Sequence, residues 1–437
     1  MEHSEDQTSM PEKNINSKRQ DPNPRFASEG CSVLLDVNDG DRLVFARLSP
    51  GAIFKIGNTK YSLKPMIGAP FGSLFQVETG EEGSFLSRVL PIKKESSSSN
   101  VIDDVRDNRE LIDDNESQNL TAEEIEAMRR DGAKGDEIIE ALIANSKTFD
   151  KKFQLSQEKY LLKKQKKYAP KVLLRRPFAR SICEAYFKKY PARIGFIRVD
   201  ALSLLLTMAN VTAYSDVLVV DMVGGLVTGA VAERLGGTGY VCNTYKGNSP
   251  YSVDMVRMFN FTDKVIERIV HSSIHELSSP KTALPEENNQ QESSKSDMIE
   301  DISVTAEAIV DDGVTESKII KAPQPGAKAS KEAVEMWKEN GFSSLIMAAQ
   351  DQDPWTLAKD VLPLLSYSAP FAIYHQYLQP LATCMHNLQQ GKMAINLQIT
   401  EPWLREYQVL PSRTHPHMQM SSFGGYVLSG IRISTTT

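Results

Sequence analysis

The feature that most constrains the fold is a strand–turn–helix–strand pattern in residues 216–247. Residues 217–220 are a continuous run of valine and leucine, which is typical of a strand buried on both faces. Asp221 ends this strand, and a glycine-containing turn leads into an Ala/Val-rich helix that continues to about Leu235. After a glycine-rich break, the strand pattern resumes at residues 240–243. This unit predicts a doubly wound α/β sheet.

The turn has part of the composition of a nucleotide or S-adenosylmethionine site. In such sites, glycines let backbone N–H groups approach the ligand, and an acidic residue at the end of the next strand holds the ribose. Gly224 and Gly225 are present, but Val223 and Val227 stand where glycines are expected, and the next strand ends without a carboxylate. The residues alone leave two alternatives open. The turn after Asp221 is either a degenerate cofactor pocket or a core turn that never bound a ligand.

The length, net charge, cysteine count and apolar runs of the chain exclude several classes of protein. A chain of 437 residues is long enough for about two or three domains. Its net charge of −6 means that attraction to nucleic acid must come from a local patch. The four cysteines form no CxxC pair, so neither a zinc site nor a disulfide framework is predicted, and a reducing compartment is favoured. Neither an apolar signal core nor an apolar run of ~18 residues is present, so no membrane span is predicted.

Composition divides the chain into five predicted regions. Short alternating runs with turn signals predict a small antiparallel β-barrel-like domain, which serves either as an interaction module or only for packing. Polar or acidic segments with few large apolar residues predict disorder. The predicted regions are a disordered tail (1–30), the β-barrel-like domain (31–92), an acidic, Ser-rich linker (93–119), a helical basic segment (120–193) and an α/β domain (194–437) with a disordered acidic insertion (276–330).

The strand–helix alternation resumes after the insertion. Strands are predicted at residues 344–349 and 370–376, and a closing pair at residues 393–398 and 425–434. This pattern predicts a parallel sheet with an antiparallel edge.

Few residues of the α/β domain have a recognisable chemical role. Asp351 or Asp353 could accept a proton, but Asp353 before Pro354 fits a helix N-cap better. His271 and His275 could share one helix face, yet no third ligand accompanies them, so no metal site is predicted.

The strongest charge asymmetry lies in residues 151–193. This segment has 14 lysines and arginines against only Glu158 and Glu184, and seven aromatic residues are interleaved with them. Cations neutralise phosphates and aromatic rings stack on exposed bases, so the pattern favours an RNA or DNA surface. The alternative is a solvated helical face with buried aromatic residues.

Four stretches together resemble one family: residues 120–149, residues 157–168, the Gly224-Gly225 turn and residues 412–429. The resemblance is to the non-catalytic subunit of the eukaryotic tRNA N1-methyladenosine methyltransferase, which modifies an adenosine of the T loop. The block LTAEEIEAMRRDGAKGDEIIEALIANSKTF, followed by QEKYLLKKQKKY, carries most of it.

The resemblance implies a degenerate Rossmann-like class I methyltransferase domain. It implies that S-adenosylmethionine is bound by a partner subunit of the same fold, that this chain binds no cofactor and is not itself catalytic, and that two copies of each subunit form a nuclear heterotetramer. This chain would then supply tRNA-binding surface and an assembly interface.

Within the basic segment, we expect eight residues to contact tRNA phosphates: Lys159, Lys163, Lys164, Lys166, Lys167, Lys171, Arg175 and Arg176. Two alternatives remain. Under the first alternative, the chain is an active S-adenosylmethionine-dependent methyltransferase with a divergent turn. Under the second, it is a structural interaction protein without an RNA role.

Overall fold

The computed structural model describes residues 23–80, 83–89, 118–150, 154–280, 324–410, 413–418, 420–421 and 423–434. The chain forms two compact units that divide between Pro177 and Phe178. Most of the predicted linker, tail and insertion lies outside the described residues.

Where it is described, the first unit combines antiparallel strands with three α-helices. Its strands are β1 (Ser32–Val37), β2 (Arg42–Arg47), β3 (Ile53–Ile56), β4 (Thr59–Ser62), β5 (Leu74–Gly80), β6 (Gly83–Val89) and β7 (Lys171–Arg175). Its helices are α1 (Ala122–Arg130), α2 (Gly135–Ala144) and α3 (Gln154–Tyr168).

Five strands form an antiparallel sheet in the order β2-β1-β7-β5-β6, and β3 and β4 form a separate hairpin. A core that includes Leu35, Phe75 and Leu174 covers one face of the sheet. Among the described strands, no pairing joins the edges β2 and β6, so barrel closure stays a prediction.

Strand β7 was not expected, because residues 120–193 were predicted to be helical. Its side chains alternate strictly between buried and more exposed positions, with Val172 and Leu174 fully buried. It pairs with β1 on one side and β5 on the other, so the pairing supplies hydrogen bonds that local sequence cannot reveal.

The end of the predicted disordered tail is also ordered. Ala27 is fully buried, its N–H donates to the Ala69 carbonyl oxygen at 2.8 Å, and its carbonyl oxygen accepts from Gly68. The structure therefore differs from the prediction for residues 23–30, because one small apolar side chain and four backbone hydrogen bonds attach this stretch to the rest of the first unit.

Helices α1 to α3 pack around their own core, which includes Ile125, Ile138 and Leu142. Helix α1 begins with the capping box that the sequence predicted, since the Thr121 hydroxyl accepts from the Glu124 N–H and the Glu124 carboxylate accepts from the Thr121 N–H.

The second unit contains the α/β sheet. Its strands are β8 (Asp216–Asp221), β9 (Tyr240–Tyr245), β10 (Ile269–Ser273), β11 (Ala327–Lys328), β12 (Ser344–Ala348), β13 (Pro370–His375), β14 (Ala394–Thr400), β15 (Tyr407–Leu410), β16 (Arg413–Pro416) and β17 (Tyr426–Arg432). Its helices are α4 (Ala179–Lys189), α5 (Val199–Met208), α6 (Leu226–Leu235), α7 (Asp263–Ile266), α8 (Ile274–Ser278), α9 (Lys331–Asn340), α10 (Pro354–Val361) and α11 (Leu378–Gln390).

Eight strands form one sheet in the order β11-β10-β9-β8-β12-β13-β17-β14. All neighbours are parallel except β17, which is antiparallel to both β13 and β14. Helices α8 to α11 contribute to the core on one face, and α5 and α6 pack against strands of the same sheet. The predicted parallel sheet with an antiparallel edge is confirmed.

Both ends of the predicted insertion belong to the fold. Helix α8 continues to Ser278, and β11 pairs with β10. The Lys328 Nζ lies 3.2 Å from the Glu276 carboxylate, which joins the two ends. Only residues 281–323 of the predicted insertion lie outside the described part of the chain.

Where the chain is described, no helix combines the length and the apolar composition needed to cross a bilayer.

Asp216 connects three elements at the amino-terminal edge of the parallel strands. Its carboxylate accepts from the Tyr240 backbone N–H at 2.9 Å and from the Trp337 indole N–H at 3.1 Å. Its carbonyl oxygen accepts from the Ser343 backbone N–H at 2.9 Å and from the hydroxyl at 2.8 Å. Trp337 is 3% exposed, so its indole N–H has little access to replacement water.

The substitution Asp216→Ala should therefore lower the free energy of unfolding by about 2 kcal/mol, because it leaves two donors without an acceptor. Urea unfolding followed by circular dichroism measures this change. The control is Asp351→Ala, which removes the same group from an exposed position and should change stability by less than about 0.5 kcal/mol. Equal losses in both variants would contradict the role of Asp216.

Candidate nucleic-acid interface and altered cofactor turn

The glycine turn lies at the point where the strand order reverses. Strand β8 pairs with β9 on one side and β12 on the other, and open α/β sheets bind ligands in the crevice at such a point. Gly224 and Gly225 both have positive φ, 74° and 89°, which glycine adopts at little cost.

The Asp221 carboxylate occupies the inside of this turn. One oxygen accepts from the backbone N–H groups of Val223 at 2.9 Å and Gly225 at 3.1 Å. The other accepts from the Thr228 N–H at 2.8 Å and its hydroxyl at 2.9 Å. Complete burial raises the pKa of the Asp221 carboxyl, and these four hydrogen bonds oppose that shift. The N–H groups of Val223 and Gly225 are therefore already bound to a carboxylate of the same chain.

The outer side of the turn is covered by residues 253–255. A Cβ on Gly225 would lie 2.6 Å from the Val253 Cα, and one on Gly224 would lie 3.0 Å from the Met255 Cε. The Met255 N–H also donates to the Gly224 carbonyl oxygen at 3.0 Å. Close approach of the chain's own backbone thus explains why both positions are glycine.

The two valines of the turn are core residues. Val223 is 1% exposed and Val227 is fully buried. Their side chains take volume in the core of the unit, and the loss of glycine at these positions removes two places where a ligand could approach the backbone. Buried valines fit both alternatives for this turn, a degenerate cofactor pocket and a core turn that never bound a ligand.

The end of β9 offers no carboxylate to a ribose. Asn243 is 2% exposed, and its Oδ1 accepts from the Asp221 N–H at 3.3 Å. Tyr245 packs against Tyr251 and His271, with ring centroids 6.4 and 5.9 Å away. Tyr245, the last residue of β9, thus packs beside two rings and supplies no carboxylate.

The other candidate chemical groups have structural roles. The Asp353 carboxylate accepts from the Thr356 N–H and hydroxyl, both at 2.8 Å, so the predicted N-cap is confirmed. His271 lies in β10 and His275 in α8, so the two do not share a helix face as expected. No cluster of three potential metal ligands occurs within the described ranges. Burial raises the pKa of the Cys384 thiol to about 12, which keeps it protonated.

The residues expected to contact phosphates lie on α3 and β7, except for Arg176, which directly follows β7. Lys159, Lys163 and Lys167 are exposed and recur every four residues, so they line one face of α3. On the opposite face, Leu161 and Tyr168 pack into the helical core. Helix α3 is therefore amphipathic, with lysines outward.

Lys164 and Lys167 share an aromatic neighbour. Their ammonium groups lie 5.8 and 5.1 Å from the centre of the Tyr168 ring, and Lys164 also lies 5.1 Å from Tyr160. A cation beside an aromatic face is attracted to the ring but keeps its charge. Both residues therefore retain their charge for a phosphate.

Among the described residues, Lys166 and Arg175 are paired with carboxylates. The Lys166 Nζ lies 2.7 Å from the Asp41 Oδ1, and the Arg175 guanidinium lies 3.1 Å from the Asp36 Oδ2. Arg175 is 28% and Asp36 7% exposed at the side chain, so this pair holds β7 against β1. Arg176 is exposed and donates to the Pro24 carbonyl oxygen at 3.5 Å, and Lys171 is exposed.

The aromatic residues of the basic segment are less available for stacking on bases than the sequence predicted. Tyr168 and Tyr186 are 9% and 6% exposed, so neither is open to base stacking. Tyr190 and Phe178 have larger exposed fractions, 54% and 37%, but both belong to the second unit. The segment predicted as one surface thus belongs to two units, and α3 and β7 form its part in the first.

Sequence analysis also missed a cluster of cations. A cleft of about 770 Å³ in the first unit is lined by Arg42, Arg129, Arg130, Lys166 and Lys167, and we name it the arginine cleft. The available signal was the Arg129-Arg130 pair at the end of the capped helix α1.

Comparison with known proteins places these features in a family. The model of the Gcd10p family matches residues 27–306. The tRNA (adenine(58)-N(1))-methyltransferase non-catalytic subunit trm6 of Dictyostelium discoideum is 33% identical over 429 residues, which cover 93% of this chain and 79% of that protein. The corresponding TRM6 subunit of Mus musculus is 31% identical over 448 residues, which cover 91% and 88%.

A solved S-adenosylmethionine-dependent O-methyltransferase of Thermotoga maritima has a TM-score of 0.50 and 11% identity, with 94% of this chain and 97% of that chain covered. At this identity the similarity shows the fold alone, and it confirms the predicted methyltransferase-like fold. Because the family model spans well over half of the chain and the Dictyostelium relative covers most of it, the chain belongs to the Gcd10p family.

Proposed function

We propose that this chain is the non-catalytic, tRNA-binding subunit of a tRNA (adenine(58)-N(1))-methyltransferase. Relatives that align over nine-tenths of the chain have this subunit's name. In the proposed complex, a catalytic partner of the same fold binds S-adenosylmethionine and transfers the methyl group, and this chain holds the tRNA. Two copies of each subunit and a nuclear location belong to the same proposal.

The observation that carries the proposal is the filled glycine turn. Asp221 uses the N–H groups of Val223 and Gly225, and residues 253–255 cover the outside of the turn. A methyl donor would have to displace both sets of contacts to reach the backbone. The same contacts argue against the alternative of an active enzyme with a divergent turn.

The exposed face of α3 supports the tRNA-binding part. Lys159, Lys163 and Lys167 present positive charge on one face of a helix in a chain whose net charge is −6. Phosphate contacts position an RNA without reading its sequence, which suits a substrate recognised by its shape.

Calorimetry with S-adenosylmethionine tests the cofactor part. The isolated chain should bind no donor at micromolar strength, and Val223→Gly combined with Val227→Gly should not create binding, because Asp221 and residues 253–255 remain in place. Methyl transfer to tRNA should appear only when the catalytic subunit is added. Turnover by the chain alone would overturn the proposal.

Charge reversal on α3 tests the RNA part. The double variant Lys159→Glu, Lys163→Glu should weaken tRNA binding, and the slope of log affinity against log salt should fall by about two units, one for each lost phosphate contact. Fluorescence anisotropy over a salt series, on the full chain with its catalytic partner, measures both quantities.

The matched control is Lys264→Glu, Lys331→Glu, which changes the net charge equally at two exposed positions of the second unit. It should leave the affinity close to that of the parent. An α3 variant that binds tRNA as tightly as the parent would remove α3 from the interface and would favour a structural subunit without an RNA role.

A further inference from the structure

The arginine cleft has features that packing alone does not require. Its walls come from the β1–β2 turn, the β3–β4 turn, the end of α1, the start of α2 and the end of α3. At about 770 Å³ it is within the ~300–1,000 Å³ range of ligand sites. A Cβ on Gly135 would collide with the Tyr168 carbonyl oxygen, so glycine at this position lets α2 and α3 approach closely on one side of the cleft.

The lining is positively charged. Three arginines and two lysines face two acidic residues, Asp41 and Glu126. Asp41 is paired with Lys166 at 2.7 Å, whereas the Glu126 carboxylate is 3.9 Å from Arg129, at the outer limit of an ion pair. The cleft keeps an excess of positive charge within an acidic protein.

Two of the arginines are held in place by aromatic rings. The Arg42 guanidinium lies 5.7 Å from the Phe54 ring centre and donates to the Lys55 carbonyl oxygen at 2.9 Å. The Arg129 guanidinium lies 5.4 Å from the Tyr168 ring centre. A guanidinium has five N–H donors, so each retains donors for a ligand, and the stacking lowers the entropy lost when a ligand binds.

Two further cations of the cleft, Arg130 and Lys167, have no carboxylate partner within the described residues. Arg130 is exposed at the end of α1, and Lys167 lies on the same wall as Tyr168. Within the described part of the chain, no ion pair neutralises either residue. Asn38, Asn58 and Thr59 add polar side chains to the lining. Fork-shaped donors, ammonium groups and amides together suit phosphate and ribose oxygens.

We propose that the arginine cleft binds the sugar–phosphate backbone of the tRNA, at a site additional to the exposed face of α3. This inference rests on the proposed function. Arg42 and Arg129 donate hydrogen bonds to phosphate oxygens, and Arg130 and Lys167 add positive charge. Asp41 limits the affinity for tRNA because it competes with phosphate for Lys166.

The first test is Arg130→Glu in the full chain purified with its catalytic partner. Fluorescence anisotropy should show about ten-fold weaker tRNA binding and a salt slope smaller by about one unit. The matched control is Lys60→Glu. Its neighbours Thr59 and Tyr61 line the cleft, so strand alternation places Lys60 on the other face of the hairpin. This control should keep the parent affinity.

The second test is Asp41→Asn, which removes a negative charge and releases Lys166. Both side chains are about half exposed, and exposed pairs contribute little to stability, so the variant should fold. It should bind tRNA about three- to ten-fold more tightly at low salt. Gain of affinity cannot come from misfolding, so this arm keeps the test decisive if Arg130→Glu is unstable.

The outcomes separate the two proposals. If the α3 variant loses affinity while Arg130→Glu and Asp41→Asn both bind like the parent, the cleft assignment is wrong and the proposed function stands. If the parent complex binds no tRNA, the proposed function itself fails. If Arg130→Glu binds tRNA normally but no longer co-purifies with the catalytic subunit, the cleft is a protein contact and the RNA assignment is overturned.

Discussion

The buried carboxylate of Asp221 is the interaction on which the second unit depends. It lies at the reversal of strand order and ties the turn after β8 to the start of α6 through four hydrogen bonds. A carboxylate with no exposure to water is costly unless its oxygens are satisfied, and here backbone and hydroxyl donors satisfy them. The donors that stabilise Asp221 are the groups that a phosphate or a methyl donor would otherwise use, so stability and cofactor binding compete for the same N–H groups.

The first unit carries positive charge on α3 and in the arginine cleft. Two carboxylates, Asp36 and Asp41, hold Arg175 and Lys166 and thereby fix strand β7 and the end of α3. The remaining lysines of α3 stay outward because the opposite face of that helix is apolar. In the proposed function, this division lets a catalytic partner keep the methyl donor while this chain specialises in holding the RNA.

Two helix-capping signals were read correctly from the sequence, whereas contacts between distant residues were not. The capping box at Thr121 and the N-cap at Asp353 depend on residues three apart, so their spacing is visible in the chain. Strand β7 was missed because its partners lie about 100 or more residues away and its charged ends fit the basic helix before it. The interleaved aromatic residues misled for a related reason, since spacing cannot say that Tyr168 and Tyr186 are buried.

The sequence by itself determined the α/β class, the loss of glycine at Val223 and Val227, and the concentration of positive charge in residues 151–193. These three features depend on residue types and on their spacing over short stretches, both of which can be read from the sequence. Only the tertiary structure decided what covers the glycine turn, which cations are already paired, and that Arg42 shares a cleft with Arg129. Each of these depends on residues far apart in sequence, and the free energy that brings them together comes from burial and pairing that no local pattern records.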